Sequence, residues 1–453
     1  MSPELEGCAV CEIGTSTAQP HVVRFQCFER VLLSKGFFIM APSAKQPPEF
    51  EGFAAQPVAT GNYLVQFRKG LKVRDEVKLL HKGNGRVATA SDFKETDIDM
   101  APLVQYGEAV LLDHIGVAVL RGDNGDHNRQ LSLLKNRPEI LHIYPEFYIF
   151  AHSSDGNSIR PDEDDSGTHE DTLSCTWGVE ATGACRSKYS GARIKMAVLD
   201  TGFDRRHPDF IGRQIKYWSA FGCDGRDIRG HGTHCAGTAA GPRAAHNRMR
   251  YGVAPDSELH VYKVLDNGGT GSEGQLLLGI NQAMVDGCEV ISMSCGRSAS
   301  GARMSNPIFD AVGQTALDEG RLMIAAAGNS SSRDIGYIAP IDFPANSPTI
   351  MSVAAVDSRL GLTNFSAGSP VGTAGIDIAA PGAGVFSSVP MPRKYQRLRG
   401  TSMAAPHVAG IAALWAESDP SLRAAKLWQA LISNAKGLPL DKRDVGAGLV
   451  QAP

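Results

Sequence analysis

Four polar residues stand at the ends of apolar runs or at the starts of helical stretches, and their types are those needed for acyl transfer. Asp200 follows the run 194–199 and opens Asp200-Thr201-Gly202, while Asn329 follows the run 322–327 in Gly328-Asn329. Ser402 begins a helical stretch in Gly400-Thr401-Ser402-Met403-Ala404-Ala405-Pro406, and His231 begins another in Gly230-His231-Gly232-Thr233-His234-Cys235-Ala236-Gly237. A serine hydroxyl is a poor nucleophile until a base takes its proton. Imidazole has the pKa for that task near neutrality, and a carboxylate can hold the imidazole in one tautomer. This chemistry makes Ser402 the expected nucleophile, His231 the proton shuttle and Asp200 its orienting partner. The charge developing on an attacked carbonyl oxygen needs donors, for which the Asn329 side-chain amide and the Ser402 N–H are expected. A helix N-terminus at Ser402 adds the positive end of its dipole. Each element alone is a common turn or cap; the order Asp, His, Asn, Ser carries the reading.

Such residues need a frame. From Trp177 onward, short β-rich runs at 194–199, 259–265, 289–294, 322–327 and 350–356 alternate with helical patterns at 231–240, 273–285, 307–317, 402–416 and 421–433. Strands alternating with helices predict an α/β fold with a parallel sheet covered on both faces. The run Met323-Ile324-Ala325-Ala326-Ala327 suits a strand buried on both sides, and the ligand site of such a sheet lies at the carboxyl ends of its strands. Upstream, 63–67, 108–112, 115–120 and 141–151 read as strands and 131–136 as a short helix, together a small α+β module. The stretch 155–171 holds Asp162, Glu163, Asp164, Asp165, Glu170 and Asp171 with almost no apolar side chains, too few to build a core. The expected organisation is a tail over 1–57, the α+β module over 58–152, an acidic linker over 153–176 and the α/β domain over 177–453.

The four motifs jointly resemble those of the subtilisin-like serine proteases (subtilases, peptidase family S8). They run from Val198-Leu199-Asp200-Thr201-Gly202 to Met403-Ala404-Ala405-Pro406-His407, and the resemblance covers about Trp177 to the C-terminus. It implies the subtilisin-like three-layer fold with a mostly parallel central sheet. It also implies a monomeric endopeptidase that cuts polypeptides through an acyl-enzyme, with no cofactor and no metal in catalysis. Gly269-Thr270-Gly271 and Ser294-Cys295-Gly296 look like the two edges between which family members clamp an extended peptide by main-chain hydrogen bonds. Glycine suits such edges because the substrate backbone must come close.

The resemblance extends to specificity and maturation. Asp342, in Ile341-Asp342-Phe343-Pro344, falls near the family's pocket floor for the residue before the scissile bond, where a carboxylate would favour Arg or Lys. Residues 58–152 are similar to the family's inhibitory propeptide, which would template folding, block the cleft as an intramolecular inhibitor, and be released by a cut within 153–176. A structural calcium ion of the family would fall at Asp209, although Arg243, Arg248 and Arg250 in the loop 241–250 suit a hard cation poorly. Cys235 lies one helical turn after His231. It resembles the thiol of one branch of the family, but the favoured reading is a small buried hydrophobe. Oxidation of Met403, next to the nucleophile, is expected to lower activity.

Composition narrows the alternatives. Lys and Arg number 45 against 48 Asp and Glu, a net charge of −3 without a clustered basic excess, so nucleic acid is not an expected partner. No run of about 18 apolar residues predicts a membrane helix. The apolar run 31–41 contains Lys35 and lies too far from Met1 for a standard secretory signal. The compartment is therefore open, with family habit pointing to secretion. Nine cysteines are too few for a disulfide scaffold. The lone Cys8/Cys11 pair lacks the second pair of a zinc site, and Cys175 with Cys185 is the expected disulfide by proximity. Two rival readings stand. Gly269-x-Gly271-x-x-Gly274, with Asp286 and Glu289 downstream, fits a dinucleotide fingerprint and hence an NAD-dependent oxidoreductase. The other rival is an inactive subtilase-like binding protein.

Overall fold

Alternation of side chains along short strands builds an N-terminal sheet with two different apolar faces. The computed structural model describes residues 56–80, 87–90, 109–122, 127–152, 169–221, 225–246, 249–299, 305–369 and 375–453, all within one compact unit, 44–453. The tail up to residue 55, the Cys8/Cys11 pair, the apolar run 31–41, Arg248 and the stretch 153–168 lie outside the described residues. Strand β1 (Ala59–Phe67) lies between β4 (Val117–Leu120) and β5 (Ile140–Ala151), antiparallel to both. β3 (Ala109–Leu112) pairs antiparallel with β4 and parallel with β2 (Val87–Thr89). Val65, Phe67, Leu111 and Leu120 turn to one face, where they meet Leu80 of α1 (Val73–Leu80) and Leu131 and Leu134 of α2 (His127–Lys135). Their neighbours Leu64, Val110, Leu112, Val117 and Val119 turn to the other face and join the core that holds Leu276, Leu277 and Ile280. The period of two therefore docks this sheet onto the rest of the molecule.

The second sheet holds seven parallel strands in the order β14 (Ile378–Pro381), β13 (Met351–Val356), β12 (Leu322–Ala326), β10 (Val290–Met293), β6 (Lys195–Asp200), β8 (Glu258–Lys263) and β7 (Lys216–Ser219). Alternate residues of each strand face opposite layers. Met196, Val198, Ile324 and Val353 pack with helices α4 (His231–Ala240), α7 (Thr401–Ser418) and α8 (Ala424–Ser433). Ala197, Leu199, Met323 and Ala325 pack with α5 (Glu273–Val285) and α6 (Pro307–Asp318). This is the three-layer α/β fold anticipated above, with the central sheet all parallel. α7 is buried on every side through Leu414, as expected for a helix that is apolar all round. β7, β14 and the hairpin of β15 (Val385–Ser388) with β16 (Tyr395–Leu398) were not anticipated. The Lys216-Tyr217-Trp218-Ser219 segment shows why, because it lacks a long apolar run.

Cys175 and Cys185, on either side of α3 (Trp177–Ala181), form the expected disulfide. The end of the acidic stretch, 169–176, is fastened to the α/β body: Asp171 accepts from Trp177 N at 2.9 Å and pairs with Arg397, and Cys175 bridges to Arg250. Among the described residues no helix is long and apolar enough to cross a membrane.

Candidate active site

The ends of β6 and β12 and the starts of α4 and α7 converge, and they bring Asp200, His231, Asn329 and Ser402 together. Asp200 is fully buried, and its two carboxylate oxygens lie 2.7 and 2.9 Å from His231 Nδ1. That contact assigns the proton to Nδ1 and leaves the Nε2 lone pair free to act as a base. His231 Nε2 is buried and has no hydrogen-bond partner among the described residues.

Asp227, which the sequence reading did not single out, sets the angle of α4. Its Oδ1 accepts from Gly230 N at 2.8 Å and Thr201 Oγ1 at 2.9 Å, and its Oδ2 accepts from Thr233 N at 2.8 Å and Thr233 Oγ1 at 2.7 Å. Thr201 Oγ1 in turn accepts from Gly232 N at 2.8 Å. One carboxylate thus satisfies the open N–H groups of the first turn and ties that turn to the end of β6. A carboxylate shortly before a helix start was the available signal.

Pro406 decides the surroundings of Ser402. Proline has no N–H, so the carbonyl four residues back, that of Ser402, has no helical donor. Ser294 Oγ donates to it at 2.9 Å and Cys235 Sγ at 3.4 Å. The Cys235 thiol is therefore a buried donor beneath the main chain of Ser402, and burial pushes its pKa well above the usual thiol range. Met403 is also fully buried.

The position where substrate is expected holds the C-terminal end of β5. β9 (Thr270–Ser272) pairs antiparallel with β5 on one side through Phe150 with Thr270, Ile149 with Gly271 and Tyr148 with Ser272. β11 (Cys295–Gly296) pairs antiparallel on the other through Ala151 with Cys295 and Phe150 with Gly296. Ala151 N donates to Gly269 O at 2.9 Å and His152 N to Ser294 O at 3.3 Å. All six residues expected at the peptide-binding edges thus take part. Glu146 Oε1 accepts from Gly274 N at 2.9 Å at the start of α5. A carboxylate from β5 therefore fills the helix N-terminus that a dinucleotide phosphate would need, which removes the structural context of that rival.

The chain then delivers the His152 carbonyl to the predicted oxyanion position. Ser402 Oγ donates to His152 O at 2.7 Å and to Ser294 O at 3.1 Å, and Asn329 Nδ2 donates to the same His152 oxygen. The amide is aimed by Thr401, whose N–H and Oγ1 each donate to Asn329 Oδ1 at 2.9 Å. No hydrogen bond from Ser402 N–H to this oxygen is formed among the described residues. Gly400 has φ 146°, and a Cβ there would stand 2.8 Å from His152 O, so only glycine leaves room for that carbonyl.

Asp342 lies beside the His152 ring. Its Oδ2 is 3.6 Å from His152 Nδ1, and both side chains are at least nine-tenths buried. Burial pushes the Asp342 carboxyl up to about 8 despite the pull of Arg297. Burial, helped by His231, pushes the His152 imidazole down to about 4.

The residues at the expected calcium position do not fit a cation. Asp209 accepts from Tyr251 OH at 2.7 Å, Tyr395 OH at 3.0 Å and His246 N at 2.6 Å, so its oxygens are engaged by donors. Arg250 caps the carbonyls of Gly252 at 2.9 Å and Val253 at 2.6 Å. Calcium needs a cluster of free oxygen ligands, which the described residues of this corner do not offer.

Comparison with known proteins agrees with this geometry. Residues 191–448 match the model of the Subtilase family. Subtilisin DY of Bacillus licheniformis is 37% identical over 266 residues, covering 58% of this chain and 90% of that protein. M-protease of Shouchella clausii (strain KSM-K16) is 36% identical over 327 residues, 69% of this chain and 80% of its own. Thermitase of Thermoactinomyces vulgaris is 35% identical over 233 residues, 51% and 77% respectively.

Proposed function

This chain belongs to the subtilase family and is a subtilisin-like serine endopeptidase; on that premise we propose that Asp200, His231 and Ser402 are its triad, Asn329 its oxyanion donor, and residues 58–152 a propeptide that it removes from itself. The observation that carries the proposal is the convergence of Ser402 Oγ and Asn329 Nδ2 on one peptide carbonyl, that of His152, beside an imidazole held by Asp200.

The reaction follows from these positions. Rotation of the Ser402 side chain away from Ser294 O brings Oγ toward the unpartnered Nε2 of His231, which takes the proton as Oγ attacks the carbonyl carbon. Asp200 holds the imidazole and stabilises the imidazolium that forms. Asn329 meets the negative oxygen with an amide that Thr401 has already oriented, so little reorganisation is needed at the moment of charge transfer. His231 returns the proton to the leaving amine, and water then hydrolyses the ester by the same route. The subtilase reaction needs no cofactor, and a calcium requirement gains no support from Asp209.

The propeptide reading is supported by β5 lying between β9 and β11 as an added strand, the geometry by which a peptide substrate is held. The M-protease match points the same way, because 69% of this chain is more than residues 177–453 contain. A fluorophosphonate probe tests the assignment of the nucleophile: it is expected to label Ser402 in the parent chain and to leave Ser402→Ala unlabelled. Labelling at another residue would refute it.

A further inference from the structure

We infer that the pocket formed by Gly296 and Asp342 selects histidine at the position before the cut bond, and that the bond cleaved in maturation is the one following His152. The inference rests on the reading of Ser402 as nucleophile and adds the substrate class of its pocket.

Three observations carry it. The His152 carbonyl is the one held by Asn329 and Ser402, so the bond to the next residue, Ser153, is the one presented to attack. The ring is enclosed: a Cβ at position 296 would stand 2.5 Å from His152 Nε2, so Gly296 provides the space that the imidazole fills. The far wall is a carboxylate, Asp342 Oδ2, already 3.6 Å from His152 Nδ1.

These dimensions favour histidine over the longer cations. Lysine carries its charge two bonds further from Cα than histidine Nδ1, and arginine carries its terminal nitrogens further still, so either would have to displace Asp342. Phenylalanine has a larger, six-membered ring, which would press on Gly296, and it has no nitrogen to face Asp342, whose carboxyl would keep only its main-chain donor at Ala299. Sites built around a polar partner reject such an analogue strongly. With burial driving both groups toward their neutral forms, one proton is held by the acid–imidazole pair. In the cleavage step the Ser402 Oγ to His152 carbonyl bond forms and the bond to Ser153 breaks, with the Ser402 proton passing through His231 to the Ser153 amine. Water then restores the Ser402 hydroxyl and leaves a His152 carboxylate.

The test is cis processing of the full chain in cell-free translation, comparing the parent with His152→Arg and His152→Phe. Intact mass identifies the ends, processing half-times give the rates, and fluorophosphonate labelling reports the nucleophile. The expected result is an N-terminal fragment ending at His152 and a second beginning at Ser153, with both variants processed at least about tenfold more slowly. Repeating the series with Asp342→Asn separates recognition from folding, because the ratio of His to Phe rates should fall below about threefold there. Fragment ends elsewhere, or equal rates for His, Arg and Phe in the parent pocket, would overturn the inference while leaving the protease reading intact. Absence of labelling at Ser402 in every variant would instead overturn the protease reading.

Discussion

Ser402 Oγ donates a hydrogen bond of 2.7 Å to the carbonyl oxygen of His152, a residue 250 positions earlier in the same chain. On the proposed assignment the hydroxyl thereby engages the oxygen that would become the oxyanion and not its base, and His231 Nε2 is buried and unpartnered among the described residues. An orphaned buried acceptor costs about 1–3 kcal/mol. Turning Ser402 toward His231 relieves that cost as the nucleophile is activated. On that assignment the resting geometry holds the proposed substrate and base in place and leaves one side-chain rotation before chemistry.

Replacing Asn329 by Ala should lower kcat by roughly 10²–10³, the scale that a subtilisin shows when it loses its amide donor, with KM changed far less. Steady-state kinetics on a peptide amide checks this. A large KM rise with kcat preserved would place Asn329 in binding instead.

Glu146 should hold the N-terminal fragment after cleavage. It is buried, and it joins Gly274 N of α5 to Thr60 Oγ1 and Asn62 Nδ2 of β1. Glu146→Gln keeps an oxygen acceptor and removes the charge that favours a helix N-terminus, so the fragment should bind roughly tenfold more weakly. The rate at which casein hydrolysis appears after processing measures this, and an unchanged rate would exclude the anchoring role.

The same complex should loosen as pH rises from about 6.5 to about 8. The groups facing this pair are His231 and Arg297. Asp342 is raised to about 8 in the complex from an ordinary 3.8 once water enters the pocket, a contribution lost as pH rises through that range. His152 is lowered to about 4 from an ordinary 6.5, a contribution present above 6.5 and lost as pH falls toward 4. Between about 4 and 6.5 the two effects cancel, because the proton that His152 loses is matched by the one that Asp342 gains. Above 6.5 only Asp342 takes up a proton on binding, so affinity should fall by up to about tenfold per pH unit, then level off past 8. Co-elution of the two fragments in size-exclusion runs across this range gives the profile. Tighter association at pH 8 than at pH 6.5 would reverse the predicted sign.

Cys235 should be inert to iodoacetamide in the native protein and reactive after denaturation, because it is fully buried and its thiolate is disfavoured. Cys235→Ala should keep activity within about threefold, since Ser294 Oγ still donates to the Ser402 carbonyl. Mass analysis of the alkylated protein decides the first point and kinetics the second.

The residues legible in the sequence were those whose role is local. Asp200 and Asn329 follow apolar strands, and His231 and Ser402 start helices, so patterning alone placed them at strand and helix ends. The edges 269–271 and 294–296 and Asp342 were reached only through resemblance to the family. Asp227 and Thr401 escaped notice because their task is to orient neighbours, and the one signal they give, a polar side chain at a helix start, reads as an ordinary cap. Glu146 and His152 escaped for another reason: their partners lie 128 and 250 positions away, brought near only when β5 docks between two strands of the α/β body. Such pairings depend on register across an interface and leave no local signal.

Whether the C-terminal end of β5 is the enzyme's first substrate is decided by the intact mass of the full chain beside its Ser402→Ala variant. Two associated fragments are expected from the parent and a single uncut chain from the variant. An uncut parent, or a variant cut at the same bond as the parent, would contradict that role.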